Sequence, residues 1–443
     1  MEREAEHVRM LDVGRLRARY AALSDGAFAS APSTKFQLMQ HGDAFGLTFV
    51  ASESGFVVTK QDALEAATTD YVKRRQAAVD HGEKLGSDEI HAVPVEREIE
   101  LRAPAYVIAL SPDELHVAVA HGESVSLFEV AALLQSDEPR AFDTFPGLSA
   151  QEIAWCPDTA SPSLAVLTGD KRVVVCTLNG SQRVVRDGST ASSVCWSASG
   201  DALAVGTTHA TVDVYSCGSF ALSHTVPRPD CCDDDGFEAH HVNWVEDDLM
   251  LIGYQKYEDE DTTALACLFE KGEWVNLDEL VAYFDVEGRR HQYYSVYLPD
   301  WRMFFVGCSL SSDIELLVWD PEEEEWLIWK PSEKYQARIP MNSEDEDTYP
   351  MGMALNLNAI EVVQVDDSSY PPAPVLTCAT SEGLVISFAF IDTTVYEELE
   401  FVKGPEQFSA QISRASLPVG APTDAVNKKT TGGSDINEGR GGG

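Results

Sequence analysis

The stretch VIALSPDELHVAVAHGESVSLFEV, Val107 to Val130, sets an apolar strand, a turn and a second apolar strand in immediate succession. Val107, Ile108 and Leu110 make the first strand, and SPDE from Ser111 supplies the Ser, Pro and Asp that a tight turn requires. The same order returns as IAWCPDTASPSLAVLTGDKRVVVCTL from Ile153, VCWSASGDALAVGTTHATVDVYS from Val194 and VNWVEDDLMLIGYQK from Val242. A looser version is YYSVYLPDWRMFFVGCSLSSDIELLVWD from Tyr293. Taking Ser111, Cys156, Ser197, Val245 and Leu298 as equivalent gives steps of roughly 41 to 53 residues, close to the 40 to 50 of four-stranded propeller blades.

In each unit the inner strand comes first, so Val107, Ile108, Leu110, Val194 and Trp196 are expected inside blades, and outer strands alternate as in Thr211 to Tyr215. Two further units bring the number to seven: FGLTFVASESGFVVTK at Phe45, and the pair Met351 to Asn358 with PVLTCATSEGLVISFAFI. The predicted fold is therefore all-β, a seven-bladed β-propeller over residues 36–400, whose closure removes free sheet edges. Residues 1–35 form an N-terminal extension with an Arg-bearing pattern that reads as helical. The segment near Phe36 is expected to pair into the last blade and fasten the ring. Residues 401–443 read as a flexible tail ending GGSDINEGRGGG.

Charge narrows the function. Against 32 Lys plus Arg stand 73 Asp plus Glu, a formal charge of -41. Such a surface repels phosphate backbones, which argues against direct nucleic-acid binding and for a basic protein partner. Partners that themselves bind RNA or DNA qualify, because carboxylates can occupy their basic patches. The nine cysteines show no disulfide spacing, the start MEREAEHVRMLDVGRLRARY lacks the apolar core of a secretory signal, and no apolar run spans a bilayer. The expectation is an intracellular, soluble protein without membrane contact. Cys231, Cys232, His240 and His241 lie close together, yet adjacent cysteines are not the CxxC of a zinc site, and no metal is expected. The eight tryptophans read as blade and rim packing.

Acidic residues gather in the inserts RPDCCDDDGFEAHH, QKYEDEDTTA, DPEEEEWLIW and NSEDEDTY. The last is the most distinctive. It belongs to IPMNSEDEDTYPMGMALNLN, Ile339 to Asn358, where Pro340 and Pro350 bracket an acidic loop and a strict alternation of Met351, Met353, Leu355 and Leu357 follows. Tyr349 to Asn358, the turn DDSSY, the run PPAPVLTCATSEGLVISFAF and the block CSLSSDIELL from Cys308 to Leu317 together resemble the last blades of the N-terminal propeller of CAN-type nucleoporins, the nucleoporin 214 / nucleoporin 159 family of the cytoplasmic side of the nuclear pore.

The resemblance implies a module that docks the DEAD-box RNA helicase of messenger RNA export through its first RecA-like domain, in competition with RNA. The hairpin carrying that contact would be Arg338 to Tyr349. Glu344, Asp345, Glu346 and Asp347 would face helicase Arg and Lys, and Arg338 would pair an acidic residue of the partner. The resemblance further implies a longer protein, contacts with other nucleoporins through regions outside this chain, and no cofactor. Two rivals remain: a WD-like scaffold for another basic partner such as a histone, and a propeller hydrolase. The second finds no nucleophile elbow, phosphate-cradling loop or HExxH, so no catalytic residue is assigned.

Overall fold

Strands such as Leu47–Ser52 and Met303–Cys308 are buried along their whole length. Apolar residues on both faces of a strand demand covering layers above and below, and stacked blades supply them. The computed structural model describes residues 2–405 apart from 24–25, 234–235, 259–260, 278–279, 287–288, 366–367 and 395–398. Its strands form a seven-bladed β-propeller.

Blade 1 comprises Met39–Gly42, Leu47–Ser52, Gly55–Lys60 and Arg97–Glu100, and blade 2 comprises Ala105–Leu110, His116–His121, Ser124–Glu129 and Asp143–Pro146. Blades 3 and 4 run from Ala150–Trp155 to Gln182–Arg186 and from Ala191–Trp196 to Leu222–Val226. Blade 5 runs from Glu238–Glu246 to Glu273–Asn276 and blade 6 from Tyr293–Leu298 to Glu325–Lys330. Blade 7 is ordered Pro350–Asn356, Val375–Thr380, Leu384–Asp392 and then, from the other end of the chain, Val8–Arg17.

That last strand corrects the reading of the N-terminus. Val8–Arg17 is no helix but the outermost strand of blade 7, antiparallel to Leu384–Asp392, and Glu2–Glu4 runs parallel to Glu325–Lys330 of blade 6. The ring is fastened here, while the segment after Phe36 becomes the inner strand of blade 1. Val8, Met10, Gly14 and Leu16 face inward, and a bulge between Asp12 and Gly14 interrupts the alternation. Gly14 has no room for a side chain, since a Cβ there would meet Thr68 Cγ2 at 2.3 Å. Thr68 belongs to the helix Gln61–Asp80, inserted between the third and fourth strands of blade 1. At the other end, Phe401 meets the Trp301 ring at 5.3 Å and Lys403 N donates to Leu357 O at 2.9 Å, so residues 401–405 are tied to the ring. The remainder of the expected tail lies outside the described residues.

Val107, Ile108, Val194 and Trp196 are buried as expected, and Leu110 is half-buried. Tryptophans tie neighbouring blades: Trp155 Nε1 donates to Ala109 O and Trp196 Nε1 to Ala154 O, each at 3.0 Å and each one blade back. Trp326 Nε1 reaches Glu270 Oε2 at 2.8 Å, from blade 6 to blade 5. Pro350–Asn356 is buried on both faces, more than its alternation required. Its Gly352 lies so close to blade 1 that a Cβ would stand 2.7 Å from Leu38 N.

The run from Ser33 to Gln37 crosses the inner strands of most blades. Thr34 N donates to Gln151 Oε1 at 3.0 Å, Phe36 N to Gln292 Oε1 at 2.9 Å and Gln37 Nε2 to Met353 O at 2.9 Å. Between them Lys35, 3% exposed, pairs with the Glu152 carboxylate and donates to Ser192 O at 2.7 Å and His240 O at 2.6 Å. Burial pulls its pKa down, and Glu152 offsets part of that pull. A buried ammonium needs such a complete set of acceptors.

Candidate functional site

The acidic loop sits on the connection from the outermost strand of blade 6 to the innermost strand of blade 7. Both ends are clamped. On the blade 6 side Ile339 N donates to Ser312 O at 2.8 Å, and the Arg338 guanidinium forks onto Asp313, Nε at 2.5 Å and Nη2 at 3.3 Å. On the blade 7 side Tyr349 N donates to Ser381 Oγ at 3.1 Å and Ser381 N to Tyr349 O at 2.9 Å. Thr348 Oγ1 closes the neck by donating to Pro340 O at 2.7 Å.

Asn342 organises the tip. Its Oδ1 accepts the N–H groups of Glu344 and Glu346, both at 2.9 Å, and its Nδ2 donates to Glu346 Oε2 at 3.1 Å. An Asn side chain that satisfies backbone donors two and four residues on substitutes for a regular turn. Asp345 completes it with φ of 62°, a left-handed conformation that Asp tolerates better than most residues. Glu344, Asp345, Glu346 and Asp347 are all exposed. Among the described residues none of these four carboxylates has a Lys or Arg within ion-pair distance. The result is a short, rigid finger with uncompensated negative charge.

The structure brings these four acids together on one tip, as the sequence suggested. Arg338 is placed differently: it is 54% exposed but committed to Asp313 of its own chain, and that carboxylate raises its pKa. Of the four residues weighed as a metal site, His241 Nε2 shares a hydrogen bond with Ser295 Oγ at 2.7 Å, and Cys231 Sγ lies 3.5 Å from Cys267 Sγ. The finger's flanking features were not legible. Nothing in the sequence around Asn342 marks it as the organiser of the turn, and Ser381, the clamp on the blade 7 side, lies 39 positions away in sequence from that asparagine.

The NUP159/214 beta-propeller family model matches residues 47–385. The chain belongs to this nucleoporin propeller family. Human nuclear pore complex protein Nup214 is 24% identical over 414 residues, which cover 86% of this chain and 19% of the relative. Nuclear pore complex protein 14 of Caenorhabditis elegans is 26% identical over 156 residues, 34% of this chain and 11% of the relative. This nucleoporin propeller thus spans about a fifth of the human relative's length or less. In three dimensions it is similar to a chain from a solved structure of S. cerevisiae Dbp5 bound to Nup159 and Gle1, with a TM-score of 0.65, 15% identity, and coverage of 88% of this chain and 97% of that one. A chain of a mitotic checkpoint complex shares the fold at a TM-score of 0.51 and 12% identity.

Proposed function

We propose that this propeller acts at the cytoplasmic face of the nuclear pore as a dock for the DEAD-box helicase of messenger RNA export, with its acidic finger on the basic surface of the helicase's first RecA-like domain. The observation that carries the reading is the tip itself: four consecutive exposed carboxylates, Glu344 to Asp347, held by Asn342 and clamped to two blades, with no Lys or Arg among the described residues within ion-pair distance. Charges held in place before encounter cost little ordering on binding and steer a basic partner at long range. Family membership supports the same partner, since Nup159 has been solved bound to the helicase Dbp5. Occupying a surface that otherwise grips phosphates sets the finger against RNA, which makes the propeller an aid to remodelling messenger ribonucleoprotein. Arg338, already forked onto Asp313, serves as a brace for the finger's base in this reading, and shares its guanidinium with a partner acid only through its exposed edge.

The test is titration calorimetry with the purified helicase. Glu344→Lys, Asp345→Lys and Asp347→Lys together should weaken binding at least about tenfold, as loss of several complementary charges does. The melting temperature should stay nearly constant, because exposed loop charges contribute little to folding. Lys already occupies left-handed backbone at Lys171 and Lys271 (φ of 60° and 53°), so the change at Asp345 adds no unusual strain. Unchanged affinity removes the finger from the interface, and capture of histones with equal strength favours the general scaffold.

A further inference from the structure

Beside the finger lies a cavity of about 570 Å3 lined by Phe28, Phe36, Arg289, Arg290, Tyr349 and the finger's own Glu346. Arg289 is its unusual member. Its guanidinium stacks 4.5 Å from the centre of the Tyr349 ring, and its Nη2 donates to Met351 Sδ at 3.2 Å, a weak acceptor. No carboxylate lies within ion-pair distance of it among the described residues. Arg290, exposed at the rim 5.4 Å from the Tyr257 ring, also has none among them.

Several other sheltered arginines of the ring are matched with acids: Arg302 with Glu270 at 2.7 Å, Arg15 with Asp12 at 2.6 Å, and Arg186 with Asp213, while Arg9 and Arg97 bond backbone carbonyls. Burial pulls on Arg302 too, but Glu270 overrides it and the pKa rises, whereas at Arg289 burial prevails and the pKa falls. In a chain with 73 acidic and 32 basic residues, acids are not scarce, yet among the described residues this guanidinium's planar fork of donors makes a hydrogen bond only to Met351 Sδ.

We propose that Arg289, assisted by Arg290, receives a carboxylate side chain of the same partner that meets the finger. This inference rests on the docking reading. The charges favour a single carboxylate over a polyanion: Glu346, Asp347 and Glu382 line the same cavity, Glu382 near enough for its charge to act on Arg289, and the whole chain carries -41. A lone partner acid next to the partner's own Lys and Arg enters with its repulsion already cancelled, whereas a nucleic-acid strand does not. The partner surface that fits therefore sets an acidic residue beside its basic patch, and the paired signs fix its register on the propeller.

The experiment is calorimetry of the whole chain with the helicase. Arg289→Ala should weaken binding roughly tenfold to a hundredfold, and Arg289→Glu more, as expected for truncating or reversing one side of a desolvated charge pair. Arg289→Lys should recover part of the loss, because it keeps the charge without the fork. Reversing the matching acid on the helicase to Arg should restore affinity to Arg289→Glu. Circular dichroism checks that each variant is folded; if the Arg289 variants are not, Arg290→Ala at the exposed rim carries the test, with a several-fold loss expected. Full affinity in these variants, alongside loss in the finger's charge reversal, overturns this inference and leaves the docking reading intact. Failure of the unaltered chain to bind the helicase overturns both.

Discussion

His291 is 1% exposed, wedged edge-on between the rings of Tyr283 and Tyr293, with centroids 4.9 and 4.4 Å away, and both its ring nitrogens lack a hydrogen-bond partner among the described residues. Burial holds its pKa down at about 3. Burial, with help from Lys35 and His291, puts His241 at about 3 as well, and the same causes keep His240 well below its ordinary value. These imidazoles are neutral in the folded ring, while in the unfolded chain they charge near pH 6.5. Their stabilising contribution is therefore complete above about pH 6.5 and is lost progressively as the pH falls from there towards 3. Each such histidine costs about 1.4 kcal/mol of stability per pH unit in that window. The melting temperature should drop between pH 7.5 and 5.5, and His291→Phe, which preserves the ring packing, should lessen the drop by the equivalent of about 1 kcal/mol. Identical acid sensitivity in the variant would show that His291 is not one of the groups responsible.

At the scale of elements, the strand that closes the ring differs from the outermost strands of blades 1 to 5, each of which buries at most one residue. Leu222–Val226, the corresponding strand of blade 4, is exposed except for Val226, whereas Val8–Arg17 buries Val8, Met10, Gly14 and Leu16. Leu16→Ala should destabilise the ring by about 2–5 kcal/mol, as removal of a buried leucine side chain does, and Leu222→Ala by less than about 0.5 kcal/mol. Denaturant unfolding of the two variants measures the difference, and equal effects would mean that Val8–Arg17 is dispensable for closure. The five central repeats were legible because turns recur between apolar strand pairs at a period of roughly 41 to 53 residues. Val8–Arg17 was not, since its alternation is broken by the bulge at Asp12 and disguised by Arg9, Arg15 and Arg17 on the outward side. The helix Gln61–Asp80 is hard to read from sequence for a related reason: its buried residues are Gln61, Leu64 and Tyr71, too narrow a stripe for a helical period to stand out, although its lack of Gly and Pro is a usable signal. In the finger, the prolines and the acids announced a projecting loop, while the Asn342 turn, the Arg338 fork onto Asp313 and the arginines of the adjoining cavity depend on residues brought in from distant blades.

For the molecule as a whole, a chain with net charge -41 gives a basic partner a strong long-range field, but the field alone does not choose an orientation. In the proposed docking, orientation comes from the finger clamped between blades 6 and 7 and from the two arginines of the cavity beside it. The same proposed docking makes the propeller and RNA alternatives for one helicase surface. The most direct measurement is a competition assay in which the helicase, with ATP or with ADP, is loaded with fluorescent single-stranded RNA and titrated with this chain. The account predicts that the chain displaces RNA and that added RNA weakens chain binding by the same factor. A ternary complex in which helicase holds RNA and chain together, each at its full separate affinity, would contradict it.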